Sequence, residues 1–99
     1  MMKVDALITD DAFHDSIAAL LSARGRTHGD FGEHANITQT IKAIVNLSPN
    51  GADLTDVHRE AIDMIAHKIG RICAGDPDFR DHWDDIAGYA RLAADRCTK

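Results

Sequence analysis

Ninety-nine residues, 44% of them hydrophobic and 27% charged, are enough for one globular domain with a modest core and not for two. The formal net charge of −5 excludes the basic face that non-specific nucleic-acid or membrane binding requires, while leaving open metal cations, basic protein surfaces and nucleic-acid mimicry. Two cysteines, Cys73 and Cys97, make neither a disulfide framework nor a zinc site. With no bilayer-length apolar stretch and no signal-peptide core at the N-terminus, a cytoplasmic location is expected.

Strand signals are almost absent and four segments carry helical periodicity, so the expected fold is all-α: a compact bundle of about four helices in a single domain, residues 1–99, with 1–9 as an N-terminal tail. The first helix is expected from about Asp10 to Ala23, with Asp10 or Asp11 as N-cap. Phe13, Ile17, Leu20 and Leu21 share one face, and Arg24-Gly25 is the stop. A basic, glycine-rich stretch follows, Arg24 to Gly32, which before a helix N-terminus is a plausible anion site. The second helix is expected from near Asp30 to Leu47, with Ile37, Ile41, Ile44 and Val45 inward and His34 on the same apolar side as a core histidine; Ser48-Pro49-Asn50-Gly51 is its turn.

Thr55 can cap the third helix, whose Val57, Ala61, Ile65, Ile69 and Ile72 recur at helical spacing as far as Ala74-Gly75. The fourth is expected from Phe79 to Arg96, burying Trp83, Ile86, Tyr89, Ala90 and Ala93. Short loops imply antiparallel neighbours. The alanine-rich core buries little area per residue, so a homo-oligomer, a dimer first, is expected to add apolar surface.

Chemistry concentrates on the last two helices. Glu60, Asp63 and His67 stand three and four residues apart on one flank of the third helix. The set reads either as a solvated acidic flank or as a ligand group. Lys68 falls inside the apolar stripe, where it needs a facing carboxylate or a bound phosphate; Arg71 adds a second cation. On the fourth helix Asp81, Asp85, Gly88 and Leu92 line one edge. Mid-helix Gly88 costs about 1 kcal/mol relative to alanine, so a crossing helix or a ligand against the backbone is expected there. Glu60 and Asp63 facing Asp81 and Asp85 across an antiparallel pair would suit Mg²⁺ or Mn²⁺ held with a phosphate ligand.

The strings Arg26–Phe31, Arg59–Ile72 and Asp81–Ala90 together resemble a family of small phage and prophage proteins of uncharacterised function, over about residues 17–97. That family is distantly similar to the MazG and dimeric dUTPase group of all-α nucleoside triphosphate pyrophosphohydrolases. The resemblance implies a MazG-like domain, in a host cytoplasm if phage-encoded, that binds or hydrolyses a nucleoside triphosphate with Mg²⁺ (or Mn²⁺). Glu60, Asp63, Asp81 and Asp85 (or Asp84) would be metal ligands and Lys68 the catalytic cation. Arg24, Arg26, His28, Asp30, His67 and Arg71 would face the substrate. Aspartate stands at two positions where those enzymes carry glutamate, and a shorter arm demands a tighter site. A different reading is a non-enzymatic acidic protein that binds a host factor, such as a defence component.

Overall fold

The computed structural model describes the backbone from residue 10 and side chains from residue 14, through residue 99. Four α-helices follow one another: α1 (Asp10–His28), α2 (Phe31–Leu47), α3 (Asp56–Ala74) and α4 (Arg80–Ala94), with one 3₁₀ turn, Gly51–Asp53, between α2 and α3. The all-α bundle expected from the sequence is the fold, and among the described residues there is no strand.

Local chemistry explains most boundaries. Asp30 caps α2, its carboxylate accepting from the Glu33 N–H at 3.0 Å. Thr55 caps α3, accepting from the His58 N–H at 3.2 Å. The α2–α3 turn is tied by Arg59, which donates to the Asn46 side chain at 2.7 Å and to the Gly51 carbonyl.

α1 departs from expectation. It does not stop at Gly25 but runs on to His28, and Gly29, with φ of 79°, makes the break. Only glycine serves there: a Cβ on Gly29 would collide with the Ala74 carbonyl, so the end of α1 sits directly on the end of α3. The expected Asp10/Asp11 cap and the burial of Phe13 lie outside the described residues.

α3 is the central helix, with α2 on one side and α4 on the other. Gly70 lets α2 approach, since a Cβ there would meet the His34 and Thr38 side chains. Ala61, Ala66, Lys68 and Gly70 of α3 are buried, as are His34 and Thr38 of α2 and His82 of α4. Several residues expected inward are not: Ile17, Leu20, Leu21, Ile44 and Val57 are exposed, and Trp83 is 53% exposed. On α4 Ile86, Tyr89 and Ala93 are covered as expected, but His82, with Phe79 just before the helix, joins them in place of Trp83 and Ala90. The reason is the α1 junction. His82 is only 1% exposed and donates from Nε2 to the Thr27 carbonyl at 2.9 Å, while Trp83 turns outward and donates to the Pro77 carbonyl at 2.7 Å.

Candidate functional site

The carboxylates do not converge. Among the described residues no group of three or more His, Cys, Asp or Glu side chains is placed to hold a metal ion. Glu60 and Asp81 are exposed. Asp84 pairs with Arg80 one turn before it, at 3.2 Å. Asp85 reaches Lys68 Nζ at 3.0 Å. The expected set Glu60, Asp63, Asp81 and Asp85 therefore does not fit a Mg²⁺ or Mn²⁺ site within one chain.

Lys68 finds the facing carboxylate that its position in the stripe requires. Its side chain is 9% exposed against 48% for Asp85, so the pair bridges core and surface between α3 and α4. The hydrogen bond and charge of Lys68 hold the Asp85 carboxyl below its ordinary range. Engaged in this way, Lys68 is a core cation paired with a carboxylate.

The residues expected to meet phosphate fare differently. Arg24, His28, Asp30 and Arg71 come together in a cleft of about 570 Å³ bounded by the last turns of α1, the start of α2 and the second half of α3. Leu21, Phe31 and His34 complete its wall. Arg26 lies outside this wall and is exposed. His67 lines a smaller adjoining hollow with Phe31, His34 and Thr38.

Arg71 is the electrostatic centre of this end of the molecule. Its Nε is buried and has no hydrogen-bond partner. Its charge helps depress the pKa of three histidines from three different surroundings. His28 and His34 are lowered first by burial and then by Arg71; His67 is lowered by burial, then Lys42, then Arg71. The nearby His67 backbone pulls the other way on His34, and Asp63 does so on His67, without reversing either shift. All three imidazoles are therefore neutral at pH 7, and the cleft's fixed positive charges are Arg24 and Arg71.

Aromatic edges pack the histidines in place: His28 against His82 at 5.0 Å between ring centres, His34 against His67 at 5.8 Å. The Thr27 hydroxyl lies 2.7 Å from His28 Nδ1. Lys42 of α2 donates to His67 Nε2 at 3.2 Å, which fixes the Nδ1–H tautomer. Two buried polar atoms, His34 Nε2 and Thr38 Oγ1, also lack partners beside the cleft and hollow.

Sequence reasoning missed His82, Lys42 and Phe31. His82 was legible as the member of a 79-82-86-89-93 spacing that Trp83 obscured. Lys42 and Phe31 carry no such signal, since their roles depend on which helix faces them.

Compared with protein-family models, with curated proteins and with solved structures, the chain matches none. No helix of the described residues is long and apolar enough to cross a membrane. Cys73 and Cys97 are free and exposed.

Proposed function

We propose that this chain binds the phosphate tail of a nucleoside triphosphate, or a similar polyphosphate, in the cleft between α1, α2 and α3. The observation that carries the reading is Arg71: a guanidinium lining a cleft, its Nε unsatisfied, with Arg24 lining the same cleft and no carboxylate ion-paired to either among the described residues. Buried donors without partners cost about 1–3 kcal/mol each, and an anion in the cleft supplies the acceptor. The N-terminus of α2 opens on the same space and adds its dipole. Phe31, 78% exposed at the mouth, offers a flat apolar ring on which a base can stack.

This keeps the nucleotide half of what the MazG-like resemblance implies. The carboxylates do not fit a one-chain metal site, so no hydrolytic step is assigned to them. The neutral histidines suit the reading as well: bringing in a polyphosphate raises their pKa, so binding takes up protons and tightens as the pH falls below 7.

The test is thermal unfolding with tripolyphosphate and with ATP, each with and without Mg²⁺. A ligand at a hundredfold excess over its Kd stabilises by about 2.7 kcal/mol. Arg71→Gln is expected to weaken binding at least tenfold, by about 1.4 kcal/mol, while Arg91→Gln on the far helix leaves it unchanged. No stabilisation by either ligand at millimolar concentration overturns the reading. Pyrophosphate release in the presence of Mg²⁺ or Mn²⁺ distinguishes an enzyme from a binder.

A further inference from the structure

We infer that His82 is a positioning residue of the phosphate cleft: acting through Thr27, it fixes the roll of α1 that turns Arg24 and His28 into that space. This role rests on the phosphate reading above, and it falls to a side chain that does not itself line the cleft. His82 is 1% exposed. A polar ring is buried so completely only where it makes a hydrogen bond.

That bond ends on a helix terminus. The last carbonyls of an α-helix have no partner within the helix, and in α1 that of Thr27 is satisfied from outside. His82 Nε2 donates to it at 2.9 Å and the Asp76 N–H at 3.0 Å. A donor placed there also meets the negative end of the α1 dipole. The junction has no slack: a Cβ on Gly75 would collide with the same Thr27 carbonyl, so the ends of α1 and α3 touch backbone to backbone.

The cleft wall follows from this seat. Arg24 and His28 are four residues apart and share one side of α1, and both line the cleft. Residues 14–26 of α1 are exposed and Thr27 and His28 are half-buried, so the seat of Thr27 sets where that side points. His82 also holds the His28 ring directly, edge to face at 5.0 Å between ring centres. Phe79 backs both rings, 4.9 Å from His82 and 6.5 Å from His28. The Thr27 hydroxyl lies 2.7 Å from His28 Nδ1, which leaves Nε2 as the nitrogen for a ligand. Through one buried donor, α4 controls two groups on α1 without touching what they bind.

The test is calorimetric titration with tripolyphosphate, begun on the wild-type chain. No binding there overturns the phosphate reading and this role with it. Given binding, the variants decide the role alone. His82→Phe keeps the ring contacts and removes the donor, and is expected to weaken binding by about tenfold or more, as small displacements of a site do. His82→Gln, whose amide can donate to the same carbonyl, is expected to stay within about threefold of wild type. Ile86→Ala, one turn along α4 and half-buried, is expected to lower the melting temperature with the Kd unchanged. Proton uptake supplies a readout that lost stability does not move. The charged and titratable groups around His28 are Arg24, Lys68, Arg71 and His82, and a bound polyphosphate raises its pKa against them. At about pH 6.5, in two buffers of different ionisation heat, His82→Phe is expected to take up fewer protons than His82→Gln. Both lack the imidazole, so the difference reports His28. Should the His82 variants not fold, Thr27→Val removes only the hydroxyl beside His28; about threefold weaker binding is expected, and unchanged affinity overturns the role. Wild-type affinity in His82→Phe, equal proton uptake by the two His82 variants, or an equal loss of affinity in Ile86→Ala also overturns it, and each leaves the phosphate reading standing.

Discussion

α1 and α3 are helices of equal length, 19 residues each, and the bundle treats them oppositely. α3 is covered by α2 and α4, and even its lysine is drawn inside and matched with Asp85. α1 is exposed from His14 to Arg26, and its last turn meets α4 through the Thr27 carbonyl. What separates them is partners rather than intrinsic helicity. Both carry isoleucine, leucine or alanine at helical spacing, and an apolar stripe becomes core only where another surface meets it. The walls of the cleft divide along the same line. The buried helix contributes Arg71 and the exposed one Arg24, and the cleft lies where the two meet.

The largest test of this contrast exchanges glycine for alanine in each helix. Gly70→Ala drives a methyl group into His34 and Thr38, and about 2–3 kcal/mol of destabilisation is expected. Gly25→Ala meets nothing within 4 Å and is expected to stabilise the chain by up to about 1 kcal/mol through helix propensity. Urea unfolding at one fixed protein concentration reads both. Equal effects would mean that α1 is packed as α3 is.

A smaller effect of the same kind comes from enlarging alanines. Ala66, 1% exposed on α3, leaves no room, and Ala66→Leu is expected to cost about 1–3 kcal/mol. Ala18 on α1 is exposed, and Ala18→Leu is expected to stay within about 0.5 kcal/mol of wild type. The shift in the urea midpoint checks the pair.

The smallest effect is in pH. His28, His34 and His67 have pKa values lowered from 6.5 in the folded chain, chiefly by burial. Below pH 6.5 the unfolded chain therefore binds more protons than the folded one, so stability is full above that point and declines as the pH falls below it. A titration of the urea midpoint from pH 8 to 5 is expected to be flat at first and then to drop. His67→Gln is expected to shallow the drop.

Much of the fold was legible locally. Asp30 and Thr55 announced their helices because a short oxygen-bearing side chain before an apolar period satisfies the first free N–H groups. Lys68 announced its need for a carboxylate because an ammonium in an apolar stripe has no water to turn to. The site was less legible. Arg24, His28, Asp30 and Arg71 were named as phosphate-facing residues and do share one cleft. Arg26 was named with them and lies outside it, since a helix running on to His28 turns it to the solvent.

By itself, then, the sequence determined that the chain is all helical, where α2 and α3 begin and end, and which buried cation would need a partner. These follow from interactions spanning a few residues, which any surroundings leave intact. Only the tertiary structure decided that α4 turns His82 inward rather than Trp83, that α1 is exposed from His14 to Arg26, and that the described acidic residues of α3 and α4 are not gathered into one group. The stripe through His82 and the stripe through Trp83 differ by one position on the helix wheel. The Thr27 carbonyl, 55 residues away in sequence, selects between them by accepting the histidine N–H.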